Sequence, residues 1–203
     1  MNVHVTLVIG GARSGKSAYA QRLAEESGRP VLYVATATAG DEEMAERIAR
    51  HRAARPTHWR TLEIPMNIGP ALEATIAGGE VVLLDCLTML VSNLMMDEGE
   101  GATADRLEAR VVEELEALLK VCRTREAQLI VVSNEVGMGL VPPYPMGRVY
   151  RDVLGRANQW LAARSDRVVL MVAGIPLEVK GPRGDPSKPD LDKTAGMDDR
   201  SPL

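Results

Sequence analysis

Residues 10–17 have the types and spacing of a phosphate-binding loop. They match the pattern G-x-x-x-x-G-K-S and stand between an apolar segment and a segment of helical period. The residues are Gly10, Gly11, Ala12, Arg13, Ser14, Gly15, Lys16 and Ser17. Glycines allow the backbone N–H groups to point at a phosphate, and a following helix adds the positive end of its dipole. We expect Lys16 to reach the outer phosphates of a nucleoside triphosphate and Ser17 to bind Mg²⁺.

A carboxylate for the same magnesium ion is expected at Asp85. The apolar run at residues 81–84 predicts a buried strand, and Asp85 follows at its carboxyl end. Parallel α/β sheets bind their ligands in the crevice at the carboxyl ends of the strands. Asp85 is therefore the predicted acidic metal ligand of the phosphate-binding loop, and a simple loop-capping role is the alternative.

A basic stretch around His51 could carry a second kind of chemistry. On a helix, Arg47, His51 and Arg55 stand at positions i, i+4 and i+8, so one face carries an imidazole between two guanidinium groups. Neighbouring positive charge disfavours the imidazolium form, which leaves a nitrogen lone pair free to attack phosphorus while the arginines hold the phosphate. A solvated basic helix face would give the same pattern, so the residue types alone leave both interpretations open.

The elements that must position these residues follow from the hydrophobic pattern. Short apolar runs alternate with segments of helical period, which indicates βα units and a mostly parallel sheet. The predicted strands are residues 3–9, 31–35, 81–84, 129–132 and 168–172, with residues 175–180 as a hairpin partner of the last. The predicted helices are residues 16–27, 41–54, 68–76, 104–125 and 146–164. The predicted fold class is therefore α/β, with a mostly parallel central sheet flanked by helices.

Length and composition limit the class of protein. A chain of 203 residues has room for one catalytic domain, which we place at residues 1–180, and the charged, proline-rich residues 181–203 predict a disordered tail. A net charge of -4 and 3% aromatic residues argue against nucleic-acid binding. The sequence shows neither an apolar run long enough to cross a bilayer nor a signal peptide, so we expect no stable membrane insertion and a cytoplasmic protein. Cys86 and Cys122 lack metal-type spacing and are expected to be buried thiols.

Several longer segments resemble a known enzyme family. Besides GGARSGKS, they are YVATA, D-x-E-M-x-x-R-I-x-x-H-R at residues 41–52, W-R-T-x-E-x-P at 59–65, SNEVGMGLVP at 133–142 and R-D-x-x-G-R-x-N-Q at 151–159. In this order and spacing they resemble the bifunctional adenosylcobinamide kinases and adenosylcobinamide-phosphate guanylyltransferases of cobalamin biosynthesis. Residues 181–203 lie outside the resemblance.

The resemblance implies a RecA-like P-loop NTPase fold and a homo-oligomer, typically a trimer. Such an enzyme phosphorylates adenosylcobinamide from a nucleoside triphosphate, either ATP or GTP, and then transfers GMP from GTP onto that phosphate, releasing pyrophosphate. The family proceeds through a GMP-histidine that falls on His51, so His51 and Lys16 are the expected catalytic residues. Apart from residues 10–17, the nucleotide-binding positions fall on Ala35, Thr36, Ala37, Arg52, Ala53, Ala54, Arg55, Glu63 and Asp85.

Three other functions stay open at this point. A P-loop kinase of another small alcohol would use the basic helix only to clamp phosphates, and a nucleotide-controlled regulatory protein would transfer no group. A DNA-dependent motor fits least, because the chain is acidic and poor in aromatic residues. Glu135 could be an acid, a base or an indirect partner of the metal, or only part of a βα turn. The sequence does not distinguish ATP from GTP in the kinase step, nor does it reveal the corrinoid-binding residues.

Overall fold

A computed structural model describes residues 4–99 and 103–181 of the chain. The strands are β1 (Val5–Gly10), β2 (Val31–Ala35), β3 (Arg60–Glu63), β4 (Val81–Asp85), β5 (Gln128–Asn134), β6 (Arg167–Val172) and β7 (Ile175–Lys180). The helices are α1 (Lys16–Glu26), α2 (Glu42–Ala53), α3 (Ile68–Thr75), α4 (Leu87–Glu98), α5 (Ala104–Thr124) and α6 (Pro145–Arg164). Apart from Gly181, the predicted tail at residues 181–203 lies outside the described residues.

The strands form one sheet in the order β3-β2-β4-β5-β1-β6-β7. Neighbouring strands pair in parallel from β3 to β6, and β7 returns antiparallel to β6 as the predicted hairpin. This arrangement confirms the predicted α/β class with a mostly parallel sheet. Strand β5 lies between β1, which leads into the phosphate-binding loop, and β4, which ends at Asp85. The carboxyl ends of the parallel strands meet at one edge, so Gly10, Asn134 and Asp85 end on the same side of the sheet.

The apolar core has two layers, one on each face of the sheet. Buried residues of α3, α4, α5 and α6 cover one face, and buried residues of α1, together with Trp59, cover the other. Strand β2 is buried throughout, as expected for a strand covered on both faces. Helix α5 buries Leu107, Val111, Leu115, Leu118 and Cys122 at spacings of three and four residues, and Thr103 caps it by accepting a hydrogen bond of 3.3 Å from the Arg106 N–H. In the described ranges, no helix is long and apolar enough to cross a membrane.

Two elements of the fold escaped the sequence prediction. Helix α4 buries Leu87, Leu90 and Leu94 along one face, at the spacing of an amphipathic helix. Strand β3 has four residues, three of them exposed, and lies at the edge of the sheet beside β2. Such a short polar strand lacks the apolar run that marks a central strand, so its pairing with β2 determines it.

Candidate active site

The phosphate-binding loop joins β1 to α1 in a shape that two glycines make possible. Gly10 has a φ of 157°, and a Cβ atom there would stand 2.5 Å from the carbonyl oxygen of Met171 on β6. Gly15 has a left-handed φ of 91° and is the N-cap residue of α1. Because no side chain caps this helix, the N–H groups of its first turn are available to an anion.

Lys16 is a buried cation at the start of α1. Its Nζ donates a hydrogen bond of 2.5 Å to the carbonyl oxygen of Gly11, and only 7% of the residue is exposed. Burial lowers the pKa of Lys16; Cys86 and Asp85 oppose this effect, and the charge of Arg47 adds to it. The charges of the predicted metal ligand Asp85 and of Arg47 on α2 therefore act on Lys16 in opposite directions.

Asp85 ends β4 and is held there by a buried tyrosine. The hydroxyl of Tyr33 donates a hydrogen bond of 2.7 Å to Oδ2 of Asp85. Burial is the largest cause that raises the pKa of Tyr33, and the charge of Asp85 and this hydrogen bond raise it further. The phenol therefore stays protonated and acts as the donor. Among the described residues, no donor is bonded to Oδ1 of Asp85.

The oxygen atoms at this edge of the sheet suit a magnesium ion. In nucleotide sites Mg²⁺ is commonly held by one or two protein oxygens together with phosphate oxygens and water. Asp85 offers a half-buried carboxylate, and Ser17 offers a hydroxyl at the second position of α1. The described part of the chain contains no cluster of three or more His, Cys, Asp or Glu that could hold a metal. A cation here would therefore depend on Asp85, Ser17 and the phosphates of the nucleotide.

Helix α2 carries His51 and packs loosely on the domain. Asp41 caps the helix by accepting a hydrogen bond of 2.7 Å from the Met44 N–H. The structure describes every residue of α2, and none of them is buried. His51 lies half-buried in the last turn and forms no hydrogen bond or ion pair with the described residues. Arg47 stands one turn earlier on the same face, and its positive charge is among the causes that lower the pKa of Lys16.

Two arginines connect the end of α2 to the sheet. The Nη2 atom of Arg52 lies 2.6 and 2.8 Å from the two carboxylate oxygens of Glu63 on β3. The guanidinium of Arg55 lies over the ring of Tyr33, with its Cζ 3.9 Å from the ring centroid. The Nε and Nη1 atoms of Arg55 are buried without a hydrogen-bond partner. Unpaired buried N–H groups are costly, so these two atoms have donors to offer an anionic ligand at the junction of α2 and the sheet.

The other predicted nucleotide positions surround this junction and the loop. Ala35 ends β2, directly between Glu63 and Asp85 in the register of the sheet. Thr36 is fully buried, and its hydroxyl donates to the carbonyl oxygen of Cys86 at 2.7 Å and accepts from the Cys86 N–H at 2.9 Å. The hydroxyl therefore joins β2 to the start of α4. The remaining positions are exposed or half-buried and are Ala12, Arg13, Ala37, Ala53 and Ala54. Nucleotide contact at all of these positions stays a prediction.

Glu135 follows β5 and stabilises its own loop. Its carboxylate accepts hydrogen bonds of 2.7 Å from the Gly137 N–H and 3.1 Å from the Met138 N–H. A cavity of about 370 Å³ separates this loop from the phosphate-binding loop and the turn between β6 and β7. The buried Ser14 lines it with an Oγ atom that has no hydrogen-bond partner in the described structure. Glu135 thus lies in the crevice with its two carboxylate oxygens already used by the turn.

Some polar residues that support the site are absent from the predicted set. Asn93 of α4 donates a hydrogen bond of 2.8 Å to the carbonyl oxygen of Thr36. Asn158 of α6 accepts one of 2.6 Å from the Ser133 hydroxyl and donates one of 3.1 Å to the carbonyl oxygen of Asn134. These bonds hold the ends of β2 and β5 in place. Hydrophobic pattern gave little signal, because Asn93 follows Ser92 and Asn158 precedes Gln159. Asn158 does belong to the segment at residues 151–159 that carries the family resemblance.

Together, the sheet order and the loop define a P-loop nucleotide-binding α/β domain. Comparison with known proteins defines it further: residues 6–179 match the family described as cobinamide kinase / cobinamide phosphate guanyltransferase. The chain belongs to this family, which confirms the resemblance and the two enzymatic activities that it implied.

Relatives match over most of their own length. The bifunctional adenosylcobalamin biosynthesis protein CobP of Pseudomonas aeruginosa is 46% identical over 176 residues, which are 86% of this chain and 96% of that protein. The bifunctional adenosylcobalamin biosynthesis protein CobU of Escherichia coli is 44% identical over 179 residues, which are 86% of this chain and 98% of that protein. Among solved structures, the RadB recombinase matches with a TM-score of 0.47 and 19% identity, over 82% of this chain and 73% of that one.

Proposed function

We propose that this chain phosphorylates adenosylcobinamide with a nucleoside triphosphate and then transfers GMP from GTP to the product through His51. The observation that carries the proposal is that Tyr33 joins the two parts of the site, because its hydroxyl donates to Asp85 at the end of β4 and its ring lies under Arg55, which follows the helix that carries His51. A phosphate cradle alone suits a kinase, whereas a neighbouring imidazole adds a nucleophile. One crevice would then serve both activities of the family.

In the kinase step the acceptor hydroxyl attacks the γ-phosphorus in line with the departing nucleoside diphosphate. The N–H groups at the start of α1 and the ammonium of Lys16 stabilise the negative charge of the phosphates. Lys16 exchanges its hydrogen bond with Gly11 for one with phosphate. Bound Mg²⁺ supplies further positive charge, and Asp85 and Ser17 are the residues that would hold it.

In the guanylyl step an imidazole nitrogen of His51 attacks the α-phosphorus of GTP, and the bond to pyrophosphate breaks. A phosphate oxygen of adenosylcobinamide phosphate then attacks the same phosphorus, which frees His51 and gives adenosylcobinamide-GDP. Arg52 and Arg55 follow His51 in sequence and connect α2 to the sheet. Their guanidinium groups are suited to hold the phosphates during this exchange.

We also propose that the chain forms a homo-oligomer, with the trimer of the resemblance as the specific prediction. The hairpin of β6 and β7 presents a patch of exposed apolar side chains at the edge of the sheet. They are Val172, Ile175, Leu177 and Val179. An apolar edge strand of this kind favours association with another chain. A cytoplasmic location also stays a prediction.

The experiment that tests this function measures the two half-reactions separately in His51→Ala. The kinase step passes its phosphoryl group directly to a hydroxyl and needs no covalent histidine. His51→Ala should therefore keep adenosylcobinamide phosphorylation and lose formation of adenosylcobinamide-GDP by roughly 10³-fold or more. His58→Ala is the matched control, since His58 is an exposed loop residue beside Trp59, and it should keep both activities.

The other possible outcomes would support different mechanisms or functions. Equal loss of both half-reactions in His51→Ala would mean that His51 shapes a shared nucleotide site. Full guanylyl transfer without His51 would contradict the covalent route. A wild-type protein with kinase activity alone would favour the small-molecule kinase, and nucleotide binding without any product would favour a regulatory protein.

A further inference from the structure

Tyr33 contacts two charged groups at the carboxyl ends of β2 and β4. Its hydroxyl donates a hydrogen bond of 2.7 Å to Oδ2 of Asp85. The face of its ring lies under Arg55, whose Cζ is 3.9 Å from the ring centroid. One side chain therefore touches both the predicted metal ligand and the arginine that follows α2, although the phosphate-binding motif does not include it.

The register of the sheet explains why Tyr33 reaches Asp85. Tyr33 pairs with Leu83 in the parallel ladder of β2 and β4, and Asp85 lies two residues further along β4, on the same face. Trp59 packs beside Tyr33 with 6.4 Å between the ring centroids, and Tyr33 is only 1% exposed. Close packing of this kind fixes the ring, so its hydroxyl and its face keep their partners.

Arg55 and Asp85 both contact Tyr33 but form no ion pair with each other. Arg55 has two buried nitrogen atoms without hydrogen-bond partners, yet among the described residues Asp85 forms no ion pair within 4.0 Å. An arginine and a carboxylate that are free to approach usually form a forked ion pair. Here the phenol hydroxyl occupies Oδ2 of Asp85 while the ring holds the guanidinium. An ion pair with Arg55 would instead occupy the oxygen atoms that a metal ion needs.

We propose that Tyr33 is a positioning residue that keeps Asp85 available to the magnesium ion of the bound nucleotide. Its hydroxyl orients the carboxylate, and its ring holds Arg55 apart, which leaves the Arg55 N–H groups for phosphate oxygens. The inference rests on the proposed function, because Asp85 has this role only if the phosphate-binding loop takes a magnesium nucleotide.

The test measures binding and not turnover. Wild type, Tyr33→Phe and Tyr19→Phe are titrated calorimetrically with a GTP analogue that has a methylene bridge between its α- and β-phosphorus, first in EDTA and then at rising Mg²⁺ concentrations. Tyr33→Phe keeps the ring under Arg55 and removes the hydrogen bond to Asp85. Tyr19 is the matched control, because it is a buried tyrosine whose hydroxyl accepts a hydrogen bond of 3.1 Å from Arg167 on β6.

Tyr33→Phe should raise the Mg²⁺ concentration for half-maximal binding by about tenfold, the effect of losing one hydrogen bond to a charged group, and should keep its affinity in EDTA within about twofold of wild type. Tyr19→Phe should match wild type in both measurements. An unchanged or lower Mg²⁺ midpoint in Tyr33→Phe would overturn the inference. An equal loss of affinity in EDTA and in Mg²⁺ would also overturn it, because that is the result of a purely structural role. A wild-type protein that binds the analogue without any dependence on Mg²⁺ would refute the magnesium site itself, and the inference with it.

The double variant Tyr33→Leu/Arg55→Gln tests the part assigned to the ring, because leucine removes both the hydroxyl and the ring. If Arg55 reaches Asp85 once the ring is gone, Tyr33→Leu should raise the Mg²⁺ midpoint above that of Tyr33→Phe, and removal of the Arg55 charge should return it toward the Tyr33→Phe value. Equal midpoints in Tyr33→Leu and Tyr33→Phe would contradict the part assigned to the ring.

Discussion

Lys16 is the residue on which both half-reactions depend. It is buried at the start of α1, and each reaction must stabilise the phosphates of its nucleotide donor. Lys16→Ala should slow both reactions by roughly 10²–10³-fold, because a charge-assisted contact to the donor is lost in each transition state. Product formation at saturating nucleotide measures both rates, with Lys120→Ala on the exposed side of α5 as the control. Wild-type guanylyl transfer in Lys16→Ala would require a second nucleotide site.

The chemistry of a residue could be predicted where its near neighbours in the sequence form a recognisable motif. Lys16 and Asp85 follow from a motif and from the end of an apolar run, and the structure places both at the carboxyl edge of the sheet. The contact of Tyr33 with Asp85 joins positions 52 residues apart and depends on the register of β2 against β4, which no local pattern specifies. The same holds for Arg55, whose partner is the ring of Tyr33.

At the scale of elements, α2 differs from the other helices that surround the site. It buries no residue, whereas α1 buries four, so few apolar contacts oppose its local opening. Amide hydrogens of α2 should therefore exchange at least about tenfold faster than those of α1 in the free protein, and GTP should slow this exchange. Hydrogen exchange with mass spectrometry measures both helices in one sample. If the amides of α1 and α2 exchanged equally slowly in the free protein, the loose packing of α2 would be contradicted.

Elements with a strong local pattern were predictable, and the two omissions have different physical causes. Helix α4 carries Leu87, Leu90 and Leu94 at helical spacing, so its signal was present in the sequence. Strand β3 is short, mostly exposed and at the sheet edge, so only its pairing with β2 defines it. It nevertheless matters to the site, because it ends at Glu63, the partner of Arg52.

At the scale of the whole molecule, the proposed association depends on the apolar edge formed by β6 and β7. Leu177 is 57% exposed on this edge, and a glutamate there would place charge in the interface. Leu177→Glu should reduce the molar mass measured by size exclusion with light scattering to that of a monomer. Met96→Glu is the control, because Met96 is an apolar residue of α4 that is 73% exposed. A wild-type monomer, or an unchanged mass in Leu177→Glu, would contradict the proposed interface.

The most direct measurement of the central claim locates the GMP that the protein takes from GTP. The protein is incubated without acceptor in GTP labelled at the α-phosphorus and digested at alkaline pH, and the labelled peptide is sequenced by mass spectrometry. The proposed mechanism predicts an acid-labile GMP on His51, in the last turn of α2, and no label on His51→Ala. Label on His4 or His58, or a wild-type protein that forms adenosylcobinamide-GDP without ever carrying label, would contradict it.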